Sequence, residues 1–180
     1  LHSAFIAEDR YKKESSLMKI VGKSANRPKF KILIGTQVME QSLDIDFDVL
    51  FTELAPIDLL IQRIGRLHRH EENDRHRPGN FKNPKCYVLS CSSYEFDKGS
   101  TYVYSPYILM RTEYYLPSDL KLPKDLPKLI NQVYCDEDLM LEQDDMINYM
   151  TYKKDYEDKL KNKKDKARVY RISDPKHTIK

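Results

Sequence analysis

A short stretch near the middle of the chain has the residue types and spacing to bind phosphate. Residues 62–70 read Gln-Arg-Ile-Gly-Arg-Leu-His-Arg-His and place three arginines within seven positions. A guanidinium keeps its proton and offers a rigid fork of donors, which suits a phosphate that gains charge as it leaves. The arginines alone fit equally a solvated basic helix end, where cations complement the negative end of the helix dipole.

The preceding residues, 55–61, predict the start of a helix that carries this stretch. Pro56 is tolerated in a first turn, and Asp58 is favoured by the positive end of the dipole. Gly65 costs helix stability and leaves room for a close approach. If the helix continues, three polar side chains project from one face: Gln62, Arg66 and Arg69.

Polar residues also lie next to two predicted strands, after the first strand and before the second. Residues 29–34 read as a buried strand, and 35–37 (Gly-Thr-Gln) follow at its carboxyl end, where open α/β sheets place ligand sites. Residues 38–43 predict a short helix. Residues 44–48 then alternate acidic and apolar side chains before a second strand at 49–53. The alternation of strand and helix predicts a parallel sheet covered by helices on both faces.

The remaining elements extend this α/β domain and then change its character. Residues 6–21 predict a helix that ends at Gly22. Residues 71–84 are charged and contain Pro and Gly, so they predict an exposed loop, and 85–90 predict a further strand. We place the domain boundary near Ser105, giving an α/β domain over 1–104 and a mainly helical region over 105–180.

Three helices are predicted in the C-terminal region. They span 107–116, 126–134 and about 144–166, with a proline-containing connector at 117–127. The last has only a partial apolar stripe and needs another body to pack against. Its basic run at 159–166 is a candidate nucleic-acid contact, although a solvated helix surface is the simpler interpretation.

Charge is unevenly distributed along the 180 residues, whose net charge is +3. Residues 1–35, 61–90 and 151–180 carry net charges of +5, +4 and +6, whereas 36–60 and 91–150 each carry −6. The basic blocks could therefore form surfaces that meet polyanions. No apolar run approaches the roughly 20 residues that a membrane span needs.

The cysteines are three in number and show no CxxC pair, which argues against a disulfide framework and a structural zinc. We therefore expect a reduced, cytoplasmic setting. His68 and His70 could join Cys86 and Cys91 around a metal, but the spacing fits no recognised ligand pattern.

In order and spacing, these motifs resemble motifs V and VI of the superfamily 2 helicases. Residues 35–46 match motif V, and the Gln-x-x-Gly-Arg-x-x-Arg pattern at 62–69 matches motif VI, while Leu-His-Ser at 1–3 resembles the end of motif IV. More narrowly, 40–48 and 54–70 are similar to the CRISPR-associated helicase-nuclease of type I interference systems. The resemblance is strong to about residue 90, and beyond it rests on position and helical character alone.

The resemblance implies a RecA-like lobe that binds ATP and single-stranded DNA. It implies that Arg69 is the arginine finger, that Arg66 accompanies it on the phosphates, and that Gln62 sets the γ-phosphate and the attacking water. Gly65 would lie at the nucleotide, and Asp44 would meet the ribose or link the nucleotide and strand sites. The implied contacts with the DNA backbone are made by Thr36, Gln37 and, with weaker support, Ser3.

Several parts of such an enzyme have no counterpart in the sequence. There is no G-x-x-x-x-G-K-[ST] loop and no DExD/H run, so we expect the phosphate cradle and the Mg²⁺ ligands upstream. The nuclease domain with its His-Asp metal site is also expected elsewhere. We interpret the chain as a fragment that neither hydrolyses ATP nor cuts DNA alone.

The implied partners are single-stranded DNA, the missing first lobe and nuclease domain, and a CRISPR RNA-guided surveillance complex, with no role for a membrane. Two alternatives stay open at this point. One is another superfamily 2 helicase acting on RNA or duplex DNA, which the polymer that stimulates its ATPase would identify. The other is a non-catalytic docking module, whose association with the first lobe would not depend on nucleotide.

Overall fold

The computed structural model describes residues 6–36, 40, 43–90 and 93–171. A two-stranded parallel sheet and six α-helices make up its regular structure in that part of the chain, together with two short 3₁₀ segments at Glu71–His76 and Gly79–Phe81. The strands and helices are β1 (Val49–Glu53) and β2 (Lys85–Leu89), and α1 (Ala7–Val21), α2 (Ile57–Ile64), α3 (Lys98–Val103), α4 (Pro106–Tyr115), α5 (Leu126–Tyr134) and α6 (Gln143–Arg168).

Strands β1 and β2 pair in parallel, with Phe51 opposite Tyr87, and α2 lies in the crossover between them. Parallel strands need such a crossover, so the predicted α/β organisation is confirmed. Thr52 and Val88 point to the covered face, where Val88 packs on a cluster formed with α2 and α4. On the other face Phe51 and Tyr87 are 67% and 47% exposed and stack with ring centroids 4.7 Å apart.

Helix α4 is the centre of the helical region. It contacts α5 and α6, and its buried residues include Ile108 and Met110. The largest apolar cluster joins these residues to Ile57 of α2, and a second cluster joins Leu60 of α2 to Leu109 of α4. Helix α2, which leads into the arginine stretch, therefore packs directly on the helical region. The division at residues 104 and 105 stays a prediction.

Most predicted elements are confirmed. The predicted helices at 6–21, 107–116, 126–134 and 144–166 correspond to α1, α4, α5 and α6, and Gly22 caps α1. The strands predicted at 49–53 and 85–90 correspond to β1 and β2. The short helix α3 was not predicted, and the predicted helix at 38–43 lies largely outside the described residues.

The predicted strand at 29–34 is wrong. These residues form no strand, and Phe30, Ile32 and Ile34 are 80%, 68% and 85% exposed. An apolar run signals burial in a sheet, but the sheet of the described residues consists of β1 and β2 alone. Apolar character without a neighbouring strand does not make a ladder.

The prediction of an exposed loop at 71–84 is also wrong in part. The segment contains both 3₁₀ turns, and within it Asn73 and Arg77 are buried. The reason is electrostatic, because both side chains turn inward to bind the buried carboxylate of Asp46.

Candidate functional site

The two segments that carry the chemical motifs run side by side. The amide of Phe47 donates to the carbonyl of Arg66 at 2.8 Å, and the amide of His68 donates to the carbonyl of Phe47 at 3.1 Å. These bonds form a short parallel bridge between Phe47 and Leu67. The acidic residues of 44–48 and the arginines after α2 are thereby brought to one place.

Helix α2 ends before the second arginine, so the expectation that one helical face carries Gln62, Arg66 and Arg69 is wrong. Gly65 is its C-cap, and Leu67 closes a tighter turn by donating to the carbonyl of Ile64 at 2.8 Å. His68 then takes a left-handed φ of 46°, which a non-glycine residue rarely adopts. Arg66 and Arg69 consequently reach the site from a turn.

Arg69 and Asp44 form an ion pair, with Nε 2.6 Å from Oδ1. The hydrogen bond from Arg69 lowers the pKa of Asp44, and the nearby His70, whose Nε2 lies 3.0 Å from the same oxygen, acts in the same direction. The amide of Arg69 also donates to Asp46 Oδ1 at 3.0 Å. Both members of the pair remain about two-fifths exposed, so a ligand can reach them.

Arg66 lies beside this pair with donor capacity to spare. Its Nη2 donates to the carbonyl of Glu40 at 2.9 Å, while its Nε is buried and makes no hydrogen bond. Burial lowers the pKa of Arg66, and the positive charge of Arg69 lowers it further. A buried donor without an acceptor, next to a second guanidinium, fits an anion such as a nucleotide phosphate.

The other predicted residues are less closely gathered. Gln62 is exposed on α2 and makes no hydrogen bond to Arg66, Arg69 or Asp44. Thr36 is exposed and lines, with Arg66, a cavity of about 570 Å³. The remaining two candidate contacts to DNA, Gln37 and Ser3, lie outside the described residues.

The buried carboxylate of Asp46 holds the acidic segment at 44–48 in place, and sequence analysis did not predict this role. Asp46 is fully buried and accepts from Arg77 Nη2 at 2.7 and 2.9 Å and from Asn73 Nδ2 at 2.6 Å. Burial alone would lower the pKa of Arg77, but hydrogen bonds to Asp74, Asp48 and Asp46 raise it. The alternation of acidic and apolar residues at 44–48 is a weak signal of this burial. It suggests that some of these side chains are buried, but it does not show which ones.

Arg63 is the second feature that sequence reasoning missed. Its Nε and Nη2 donate to Glu40 Oε1 at 2.8 and 2.5 Å, and its Nη1 donates to Thr52 Oγ1 at 2.7 Å. Nη2 also reaches the hydroxyl of Tyr104 at 3.2 Å. These acceptors engage every nitrogen of the guanidinium, so Arg63 holds protein groups together.

The described residues contain neither a metal-binding cluster nor a membrane-spanning helix. Within the described ranges, no three or more His, Cys, Asp or Glu side chains are placed to hold a metal ion. Cys86 is a free thiol, and Cys91 lies outside those ranges. No described helix has the length and apolar character to cross a bilayer.

Comparison with known proteins gives a consistent assignment. Residues 1–72 match the family described as CRISPR-associated nuclease/helicase Cas3, C-terminal. The CRISPR-associated nuclease/helicase Cas3 of Streptococcus thermophilus is 49% identical over 178 residues, which cover 97% of this chain and 19% of that protein. The chain thus spans about a fifth of the length of this curated relative.

Solved structures agree with the sequence matches. One crystal structure of a CRISPR-associated protein superposes with a TM-score of 0.85 at 34% identity, covering 93% of this chain and 19% of the other. A CRISPR RNA-guided surveillance complex, pre-nicking, gives 0.79 at 31% identity over 97% of this chain and 21% of its own. Structures of T. fusca Cas3 are described with ADP, AMPPNP and ATP, at TM-scores of 0.71, 0.67 and 0.70 and 31–32% identity, each covering 84% of this chain and 18% of that one.

These neighbours, together with the parallel sheet and the helical C-terminal part, confirm the predicted RecA-like α/β class. The family model covers both the arginine stretch at 62–70 and the acidic segment at 44–48. The similarity to the Streptococcus thermophilus relative extends over nearly the whole chain. The chain belongs to the CRISPR-associated nuclease/helicase family, and residues 1–72 are the part that the family's C-terminal model describes.

Proposed function

We propose that the chain is the second RecA-like lobe, with accessory helices, of an ATP-dependent single-stranded DNA translocase that degrades invader DNA in type I CRISPR interference. The observation that carries the proposal is the pairing of Arg69 with Asp44 beside the unsatisfied Nε of Arg66. Relatives named nuclease/helicase, and T. fusca structures described with ATP, ADP and AMPPNP, support it.

In this proposal Arg66 and Arg69 bind the nucleotide phosphates from across a cleft. The bound nucleotide supplies the phosphoryl group whose transfer to water drives the cycle. Asp44 holds Arg69 in place until the phosphates compete for its guanidinium, and Gly65 lets the backbone approach closely. Gln62 orients the attacking water after a local movement, since its side chain is exposed on α2.

The strand contacts are proposed to lie next to the nucleotide contacts. Thr36 lines the same cavity as Arg66, and Gln37 and Ser3 would extend the contact along the DNA backbone. Bonds to phosphate oxygens carry no sequence information, so the lobe would move along any single strand. Closure and reopening over the nucleotide would change its grip once per cycle.

The rest of the enzyme is proposed to lie in a longer protein. The chain matches only 19% of the Streptococcus thermophilus relative, so the Mg²⁺ ligands, the first lobe and the nuclease metal would be supplied elsewhere. Residues 1–104 would form the lobe and 105–180 the accessory region. We further propose a cytoplasmic enzyme that works with an RNA-guided surveillance complex, and a chain that is inactive when isolated.

The test is Arg69→Ala in the full-length protein. ATP turnover is expected to fall about 10³-fold or more, the range known for arginine fingers, with DNA binding largely intact. Arg75→Ala is the matched control, because it removes an exposed arginine nearby and should leave turnover unchanged. Unchanged turnover in Arg69→Ala would remove Arg69 from the proposed role.

A further inference from the structure

The C-terminal part of helix α6 is exposed on every side. All residues at 157–168 are exposed, whereas Tyr156, one position earlier, stacks on Tyr107 of α4 with ring centroids 5.1 Å apart. Leu160 still borders a small cavity beside α5. Residues 161–168 extend past this packed part by about 12 Å, at 1.5 Å per residue, so a large ligand can reach them.

This exposed part carries positive charge that the helix itself does not neutralise. Residues 159–168 contain six basic side chains and one acidic side chain. Lys159 and Arg168 form exposed ion pairs with acidic neighbours on the same helix. The other four basic residues form no ion pair with any described residue: Lys161, Lys163, Lys164 and Lys166. The helix dipole favours cations only in the last turn, so it accounts for a minor part of this charge.

The basic side chains are arranged in two rows along α6. Residues three or four positions apart lie on the same side of a helix. One row therefore consists of Lys159, Lys163 and Lys166. The second row, on nearly the opposite side, consists of Lys161, Lys164 and Arg168. Between the rows, one flank carries Leu160 and Ala167, and the other carries Asp158 and Asp165. Like charges that share a row repel each other, and a polyanion would relieve this repulsion.

The composition of the exposed part favours nucleic acid over a protein partner. The core of a protein interface is enriched in apolar and aromatic residues and depleted of lysine. Residues 157–168 contain only two apolar side chains, Leu160 and Ala167, and five lysines. Phosphate backbones, in contrast, are bound largely through Lys and Arg, with release of counterions.

The same residues favour duplex DNA over a single strand. Sites for single strands combine basic groups with aromatic rings on which bases stack, and 157–168 contain no aromatic residue. An α-helix is about 10–12 Å in diameter, and the major groove, about 12 Å wide, admits one. Two phosphate backbones border that groove, which matches two basic rows on opposite sides of one helix.

We propose that residues 159–168 of α6 form a second nucleic-acid site that binds duplex DNA. The helix end lies in the major groove with one basic row on each phosphate backbone. Contacts with phosphates carry no sequence information, so binding does not depend on base sequence. The site goes beyond the proposed function, which assigns single-stranded DNA to Thr36 and its neighbours, and it shares no residue with that contact or with the nucleotide site.

The test measures duplex binding by the full-length protein in the absence of nucleotide. The probe is a short fluorescent DNA duplex closed by a hairpin loop at each end, and its dissociation constant is measured by anisotropy over a range of salt concentrations. Each phosphate contact adds about 0.9 to the slope of log affinity against log salt. A fourfold variant replaces the unpaired lysines by Gln: Lys161, Lys163, Lys164 and Lys166. It is expected to have a slope shallower by about 3 to 4 and to bind at least about tenfold more weakly at low salt.

Two double variants test the groove geometry. Lys163→Gln with Lys166→Gln removes part of the first row, and Lys161→Gln with Lys164→Gln removes part of the second. Each is expected to make the slope shallower by about 2, because both backbones are contacted. Gln has nearly the same helix propensity as Lys, so α6 itself should persist.

The matched control makes the same change of charge at four exposed lysines elsewhere: Lys12, Lys121, Lys124 and Lys128. It should leave the slope for the duplex unaltered. ATP turnover stimulated by a single-stranded oligonucleotide should stay at the wild-type level in every variant. That activity tests the proposed function, whereas the slope for the duplex tests the site on α6, so failure of one is distinguishable from failure of the other.

Three results would overturn the proposal. An unchanged slope in the fourfold variant would mean that the lysines are only solvated. A greater loss of affinity for a single-stranded oligonucleotide than for the closed duplex would make the site a contact for single strands. A change confined to one of the two double variants would place the helix along one backbone and refute binding in the groove.

Discussion

Two of the described arginines are almost completely buried, and different chemistry holds each one. Arg77, in the α/β part, is 4% exposed and binds three carboxylates, with its nitrogens 2.7–2.9 Å from Asp46, Asp48 and Asp74. Arg111, in the helical part, has no exposed surface and binds mainly neutral groups. These are the carbonyls of Gln132, Val133 and Glu137, at 2.6–2.7 Å, and the Tyr149 hydroxyl, at 2.9 Å.

The contrast separates two ways of stabilising a segment. Arg77 neutralises the buried carboxylate of Asp46, and that carboxylate accepts from the amide of Arg69, so charge pairing supports the candidate site. Arg111 satisfies carbonyls at the end of α5, which a helix leaves unpaired, and lies over the rings of Tyr107 and Tyr115. The site thus depends on ionised carboxylates, whereas the helical region depends on neutral carbonyls and phenols.

The largest effect is expected from Arg77→Met. Asp46 would stay buried with Asn73, the amide of Arg69 and the more distant Arg27 as its remaining partners, and removing one partner of a buried ion pair costs about 3–5 kcal/mol of unfolding free energy. Urea denaturation followed by circular dichroism measures the loss. Arg75→Met, at an exposed arginine, is the control. A loss below about 1 kcal/mol would show that Asp46 does not need Arg77.

A smaller loss is expected from Arg111→Met, because the groups left unpaired are neutral. Buried carbonyls without a donor cost about 1–3 kcal/mol in total if part of the set is rehydrated at the end of α5. The same denaturation experiment applies, with Lys128→Met at an exposed position of α5 as control. A larger loss of unfolding free energy in Arg111→Met than in Arg77→Met would contradict the comparison.

Alkaline pH should act first on the helical region. Burial raises the pKa of Tyr149, and burial together with a hydrogen bond to Asp58 raises the pKa of Tyr134. Their neutral forms therefore add stability that is complete below the ordinary pKa of about 10 and is lost as pH rises above it. Protection factors of the amides in α4 and α5, which correct for the intrinsic rise of exchange with pH, should fall there.

Tyr149→Phe removes one of these groups and should move that alkaline transition to higher pH. Tyr102→Phe, at a fully exposed ring, should leave it in place. An unchanged transition in Tyr149→Phe would assign the alkaline loss to other tyrosines.

The smallest effect is expected from acid on the α/β part. Hydrogen bonds from Arg77 and Arg69 lower the pKa values of Asp74 and Asp44, respectively. The stability that these groups add is present above about pH 3.9 and is lost as pH falls through their lowered values. Exchange at the amides of 46–48 should increase below that pH before exchange in α4 does.

Both carboxylates are about half exposed, which limits the size of this acid effect. Asp74→Asn should weaken the dependence on acid, and Asp9→Asn, on the exposed side of α1, should not. Simultaneous loss of protection in both regions would contradict the separation drawn between them.

Local patterns predicted helices α1, α4, α5 and α6, and Gly22 marked the end of α1. The segment at 29–34 failed because a strand is defined by its neighbours as well as by its own side chains. Burial of Arg77 was invisible for the same reason. A charged segment with Pro and Gly has the same sequence pattern whether or not the fold brings carboxylate partners close to its arginine.

The candidate site was predictable to a similar depth. Asp44 and Arg69, both of which the resemblance assigns to the nucleotide, form an ion pair in the structure, while their catalytic and nucleotide-binding roles stay predictions. The shared helical face failed at Gly65, since the chain closes a turn there. The Glu40–Arg63 pair joins residues 23 positions apart, and no spacing rule connects them.

The open face of the sheet has a practical consequence for anyone handling this chain. Stacked Phe51 and Tyr87 border a groove of about 450 Å³, whose lining includes the exposed Phe30 and Ile32. Continuous apolar surface of this kind promotes association of soluble proteins. We expect light scattering to rise with protein concentration and to fall when Phe51 is replaced by Lys. This result would identify the face as the surface through which copies of the chain associate.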